Sequence, residues 1–285
     1  MKILKTALIV LSSLLGIAII TLVGMLSGSF HTPASFHDLA ARPAAPAGPV
    51  LVVGATQNTG LEVVRELLAR GQPVVATVRL SSNTAALDAL GVEKVVMDAM
   101  DEQQVRAVIV PGRFSAVIST VGTAARDLPE RRNLLAALFE GPAKMDPAKR
   151  PDYVGNRNLV DGAKAAGIRR FVFVTVIGTG DSFDAAPVPA RRGLMDVIPL
   201  KNKAEGHLRA SALDYTIIRP GGLGPRTLAA TGTARLTEDP AAFSYIARKD
   251  LARLVVDALA DPTTFGHTYT AWDRSRRNVW NLFVD

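Results

Sequence analysis

The chain has 285 residues, 48% of them apolar and 21% charged, with a formal net charge of +7 and no cysteine. That length buries a full core and fits one α/β domain with an appendage, and the composition excludes intrinsic disorder, disulfides, thiolate metal sites and cysteine nucleophiles. The four histidines lack metal-ligand spacing, and Lys and Arg fall in scattered pairs (Arg131-Arg132, Arg169-Arg170, Arg191-Arg192, Arg276-Arg277) rather than one stripe, so a nucleic-acid partner is not expected.

After Lys2 and Lys5 comes the charge-free run ALIVLSSLLGIAIITLVGML, Ala7 to Leu26. At about 1.5 Å per residue it matches the roughly 30 Å hydrocarbon core of a bilayer. It reads as an uncleaved membrane anchor in preference to a cleaved signal peptide, whose apolar region is usually shorter. Residues 1–29 are thus expected as the anchor, 30–48 as a Pro- and Ala-rich linker, and 49–285 as the folded domain. Charge bias around the anchor places that domain outside the cytoplasm, whereas a nicotinamide cofactor favours the cytoplasm; the side stays open.

From Pro49 onward, short apolar runs alternate with helical patterns, as in a sheet covered on both faces. Strands are predicted at Val50–Val53, Pro73–Val78, Lys94–Met97, Ser115–Ser119, Phe171–Val176, Tyr215–Ile218 and His267–Ala271. Helices are predicted at Leu61–Arg70, Glu102–Val110, Tyr153–Ala166, Lys201–Ala210 and Asp250–Leu259. The expected fold class is α/β, a Rossmann-like doubly wound parallel sheet with an N-terminal transmembrane helix.

The first strand runs into GATQNTG, Gly54 to Gly60. Such a turn sets a pyrophosphate on a helix N-terminus, with Gly54 making the tight turn and Gly60 letting the helix approach the strand. The middle glycine, which admits the backbone to the phosphates, is replaced by Gln57. That residue is costly only if its backbone must be left-handed. Thr56, Gln57, Asn58 and Thr59 complete the candidate cradle. The second strand ends in Arg79 rather than in the acid that holds a ribose 2′-hydroxyl. With Ser81, Ser82 and Asn83 beside it, Arg79 suits a 2′-phosphate, and NADP(H) is preferred over NAD(H).

Between Val50 and Leu259 these residues resemble the atypical branch of the short-chain dehydrogenase/reductase superfamily, the NAD(P)H-binding group with nitrogen-metabolite-repression-type regulators and small flavin or quinone reductases. VVMDAMDEQQV puts Asp98 where that family contacts the adenine, and AVISTVG puts Ser119, Thr120, Val121 and Gly122 beside the cofactor. DYVGNRNLVDGAKAAGIRRFVFVTVIG carries Asn156 at a usual polar position. LKNKAEGHLRASALDYTIIRPGGL matches Lys201 to the family's active-site lysine, and Arg219, Pro220, Gly221 and Gly222 to its nicotinamide loop. The chain departs from the pattern at Val197, in place of the proton-donating tyrosine, and at Val176, in place of the serine, leaving Thr175 as the nearest hydroxyl.

The resemblance therefore implies a reductase of a quinone, a flavin or a conjugated acceptor, with Lys201 as the candidate catalytic group and Thr175 a lesser one. The alternative is a non-catalytic cofactor-binding assembly, scaffold or redox-sensing subunit of a membrane complex, with Lys201 serving only to hold the ribose hydroxyls. Expected partners are a small or lipid-soluble acceptor or a membrane protein. Two further stretches stand out. Leu134, Leu135, Leu138 and Phe139 make an apolar helical face that packs on the sheet edge, caps the cleft or meets a partner. Arg276, Arg277, Trp280 and Phe283 mix charge and aromatics near the C-terminus, as a solvated tail with a packed Trp or as a lipid contact.

Overall fold

The computed structural model describes residues 11–19, 22, 31–39, 46–123, 146 and 150–282. Its framework is an eight-stranded sheet in the order β3-β2-β1-β4-β5-β6-β10-β8. The strands are β1 (Val50–Val53), β2 (Val74–Val78), β3 (Glu93–Val96), β4 (Ala116–Ser119), β5 (Arg170–Val174), β6 (Asp214–Pro220), β8 (Arg235–Thr237) and β10 (His267–Trp272). All neighbours pair in parallel except β10 and β8. A separate pair joins β7 (Gly222–Leu223) to β9 (Tyr245–Ile246). All seven predicted strands are present, to within a few residues at their ends.

The helices are α1 (Asn58–Ala69), α2 (Ala85–Asp88), α3 (Glu102–Val108), α4 (Val154–Ala165), α5 (Val188–Gly193), α6 (Ile198–Arg209) and α7 (Arg248–Ala260). The short α2, α5 and the 3₁₀ turn Gly180–Ala185 were not predicted, since segments of four to six residues carry too little periodicity to read. Alternate residues of β1 feed two cores. Val50 and Val52 meet Val63, Val64 and Leu67 of α1 and Leu251, Leu254 and Val255 of α7, while Leu51 and Val53 meet Val105 of α3, Leu159 of α4 and Leu208 of α6. Burial on both faces explains why these strands read as continuous apolar runs rather than as alternation.

Strand order reverses between β1 and β4, and the crevice beyond their carboxyl ends is where such sheets bind ligands. Gly54 and Thr120 stand at that point.

Much of the expected anchor lies outside the described residues. Among these, 11–19 are helical with Leu11, Leu14, Leu15 and Ile17 exposed, and no helix is long and apolar enough to cross a membrane. The Leu134–Phe139 face and Phe283 also lie outside them. Part of the expected linker is docked instead of free. His37 donates its backbone N–H to the Leu236 carbonyl at 2.9 Å, Thr237 Oγ1 donates to the Ser35 carbonyl at 2.8 Å, and Phe36 meets Trp272 with ring centroids 5.3 Å apart. Residues 31–39 thus lie along β8, the outermost strand.

Candidate functional site

The glycine turn resolves the question raised by its missing glycine. Gln57 has φ −161° and ψ 173°, ordinary extended backbone, so its side chain carries no strain. The left-handed conformation falls instead on Asn58, at φ 53°, a residue type that tolerates it. Gly54 has φ +88°, and a Cβ there would sit 2.6 Å from Thr120 Oγ1; a Cβ on Gly60 would overlap the Gly54 carbonyl oxygen. Both glycines are therefore required by contact. Thr120 ties the turn to the switch point by donating to the Val53 carbonyl at 3.1 Å.

The first turn of α1 contains no acidic residue, and no side chain caps its N-terminus. Its free N–H groups and positive dipole end favour an anion. Thr56, Gln57 and Asn58 are half-buried around it and Thr59 is buried. At the end of β2, Arg79 is exposed, and no ion pair engages its guanidinium among the described residues. Ser82 and Asn83 are occupied in shaping the turn: Ser82 Oγ accepts from the Arg79 N–H at 3.0 Å and Asn83 Oδ1 from the Ala85 N–H at 3.0 Å. Ser81 is exposed. Asp98 is half-buried and spends one oxygen on the Met100 N–H at 2.9 Å, leaving the other for a ligand. This donor set fits a dinucleotide phosphate, with charge at Arg79 for a second phosphate.

At the other end of the crevice, the loop after β4 is locked from beneath. Ser119 Oγ donates to Asn156 Oδ1 at 2.6 Å, and Asn156 Nδ2 donates to the Asp152 carbonyl at 2.9 Å and the Val121 carbonyl at 3.4 Å. Ser119 is fully buried, so it shapes the loop rather than facing a ligand. The Asp152 carboxylate accepts from the Thr123 N–H at 3.1 Å. Lys201 Nζ donates to the Val121 carbonyl, lies 3.8 Å from Asp152 Oδ1 and stands 5.0 Å from the centre of the Phe173 ring. Burial lowers the Lys201 pKa from its ordinary value, with Asp152 and Glu205 acting in the opposite direction. Lys201, Val121 and Gly122 are thus brought together, and a Cβ on Gly122 would lie 3.3 Å from the ammonium nitrogen.

Thr175 is not turned to this point. Its hydroxyl donates to Glu205 Oε1 at 2.7 Å, as does that of Thr179 at 2.7 Å. Arg219, expected in the nicotinamide loop, points the same way, donating to Glu205 Oε2 at 2.7 Å and to Asp181 Oδ1 at 2.5 Å. Burial alone would raise the Glu205 pKa, but the hydrogen bond and charge of Arg219, with both threonines, hold it below the usual carboxylate value. This buried pair gave no local sequence signal, because its members lie on α6 and β6 and meet only through space. Pro220 accepts from the Ile177 N–H at 2.9 Å, and a Cβ on Gly221 would overlap the Ser244 carbonyl. Val197 and Val176, the positions of the missing acid and hydroxyl, are half-buried and apolar.

A doubly wound sheet with a glycine turn at its switch point, a helix N-terminus open to an anion and a buried lysine beyond the fourth strand defines a dinucleotide-binding protein of the atypical short-chain dehydrogenase kind. Residues 54–262 match the NAD(P)H-binding family, and the chain belongs to it. It is 30% identical over 233 residues to the chloroplast protein TIC 62 of Pisum sativum, a match that covers 75% of this chain but 40% of that relative, so the chain spans less than half of its length. It is 31% identical over 136 residues to the sanguinarine reductase of Eschscholzia californica, covering 45% of this chain and 49% of the relative. Among solved structures it resembles ChuY, an anaerobilin reductase from Escherichia coli O157:H7. The TM-score is 0.63 at 28% identity, covering 79% of this chain and 97% of ChuY.

Proposed function

We propose that the chain is a membrane-anchored, NADPH-preferring reductase of a flat conjugated acceptor, a quinone, a flavin or an extended ring system, working without the serine and tyrosine of carbonyl reduction. The observation that carries this reading is the reacting end of the crevice. Val197 and Val176 offer no proton there, Thr175 is engaged by Glu205, and the polar groups held beside Gly122 are the buried Lys201 ammonium and the Asp152 carboxylate, which accepts from Thr123. General acid catalysis at a ketone oxygen therefore has no donor. A conjugated acceptor spreads the incoming charge over its own ring atoms, so it needs orientation and exclusion of water more than a protein acid.

Gly54, Gly60 and the α1 N-terminus hold the pyrophosphate, Arg79 the 2′-phosphate, Asp98 the adenosine end and Lys201 the ribose next to the nicotinamide. The bound cofactor supplies the hydride. The reductase names borne by ChuY and by the sanguinarine enzyme support this choice over a pure scaffold, whereas the likeness to TIC 62 covers too little of that protein to transfer its role.

A screen of NADPH oxidation against quinones, free flavins and simple ketones, with NADP+ reduction by secondary alcohols measured beside it, tests the reading. Turnover of a quinone or flavin, with no oxidation of secondary alcohols, is the expected result. Robust alcohol oxidation overturns it, and binding of NADPH with no turnover of any acceptor favours the scaffold instead. NADPH binding at least tenfold tighter than NADH, roughly 1.4 kcal/mol, lost in Arg79→Ala, checks the cofactor preference by calorimetry.

A further inference from the structure

Beside the glycine turn stand two guanidinium groups that the turn itself does not explain. Arg226, exposed on the loop after β7, donates through Nη2 to Gln57 Oε1 at 3.3 Å, across 169 positions of sequence. Arg248, the first residue of α7, donates to the Gly224 carbonyl of the same loop, and its Nε is buried without a hydrogen-bond partner. Among the described residues neither arginine has a carboxylate within 4.0 Å. Glu62, the acid that acts on Arg248, is paired with Arg65 at 2.6 Å. Burial and the charge of Arg226 both depress the Arg248 pKa, the mark of two like charges held near one another. The positive end of α1 adds to the same field.

We propose that Arg226, steered by Gln57 and backed by Arg248, clamps the pyrophosphate of the dinucleotide and takes over the work of the missing middle glycine. A glycine at 57 admits phosphate to the backbone. Gln57 instead extends a side chain whose amide oxygen fixes a guanidinium fork, and such forks pair with phosphate oxygens through two parallel N–H bonds. Repulsion between the two arginines is then offset by the anion between or beside them, at a helix N-terminus already suited to one. The proposal rests on the cofactor reading above and adds residues outside the glycine turn.

Arg226 and Arg79 make separable predictions, because the pyrophosphate is common to NADPH and NADH and the 2′-phosphate is not. Calorimetric titration of the full chain with NADPH and NADH, and competition by inorganic pyrophosphate, is done for the wild type, Arg226→Gln, Arg226→Lys and Arg79→Ala. Thermal melts confirm that the variants are folded, as expected for an exposed loop residue. Arg226→Gln should weaken NADPH and NADH by the same factor, at least fivefold, with shallower salt dependence and weaker competition by pyrophosphate. Arg226→Lys should recover part of the loss, and Arg79→Ala should weaken NADPH alone. In a Gln57→Gly background the Arg226→Gln loss should shrink. A loss below fivefold, or one confined to NADPH, overturns the clamp and leaves the cofactor reading standing. A wild type that binds neither nucleotide overturns both.

Discussion

At the residue scale, Lys201 is the group whose environment and position are most at odds. A buried ammonium beside one carbonyl and a carboxylate 3.8 Å away has a lowered pKa, burial outweighing its acidic neighbours. Between that lowered value and the ordinary 10.5, the unfolded chain binds more protons than the native one, so stability rises with pH across the window. Below it the cost of burying the charge is fully present. Lys201→Met should flatten the stability curve on the alkaline side, below the ordinary lysine value of 10.5, measured by urea denaturation at several pH values; an unchanged slope rules out the lysine as its source. The same variant should weaken NADPH binding if the ammonium also holds the ribose. The two valines allow a complementary gain. General acid catalysis contributes typically about 10² to 10⁴ in rate, so Val197→Tyr with Val176→Ser should introduce a trace of carbonyl reduction that the wild type lacks.

At the element scale, α6 is tied to β6 by the Glu205–Arg219 pair, and the 3₁₀ turn Gly180–Ala185 hangs on it through Asp181. Both partners of the central pair are buried. Removing one leaves the other charged and uncompensated in low dielectric, at a cost of about 3 to 5 kcal/mol, so Glu205→Ala should be far less stable than the wild type in chemical denaturation. The pH dependence follows from the direction of the shift. Because the Glu205 pKa is held below its ordinary 4.5, its contribution is complete above that value and is lost as pH falls through the lowered one. Acid unfolding of the wild type should be steeper than that of Glu205→Gln, as far-UV circular dichroism would register; identical acid transitions would show that the pair does not control them.

At the scale of the whole molecule, the docked segment 31–39 covers the outer edge of the sheet. It meets β8 by one backbone bond, β10 through Phe36 and Trp272, and Thr263 through His37 Nε2 at 3.0 Å. The C-terminal turn joins it, with Arg277 Nη2 donating to the His31 carbonyl at 3.2 Å, while Trp280 is 43% exposed. An uncovered edge strand offers its free N–H and C=O groups to other chains. A chain lacking residues 1–39 should therefore melt lower, by on the order of 5 °C, and self-associate more than one lacking residues 1–29, in calorimetry and sedimentation. The anchor is tested on the full chain: recovery in the membrane fraction, resistant to carbonate extraction, is expected, and a soluble mature chain beginning near Phe30 would show cleavage.

What the sequence determined by itself is whatever local pattern dictates. Alternating apolar runs and amphipathic stretches mark strands buried on both faces and helices laid over them. Gly54 and Gly60 mark the turn between the first of each, and the valine at 197 excludes a tyrosine acid there. Tertiary structure decided how residues at strand ends are used, because their partners come from remote segments. Ser119 reads as a cofactor ligand until Asn156 takes its hydroxyl. Arg219 reads as part of the nicotinamide loop until Glu205, on a different element, draws it into the core. Residues 31–39 read as linker because Pro and Ala carry no periodicity, yet the exposed edge of β8 supplies the partner that orders them. At Gln57 the composition of the turn left two backbone conformations open. In the fold Gly60 packs against Gly54, Gln57 is extended and the left-handed residue is Asn58.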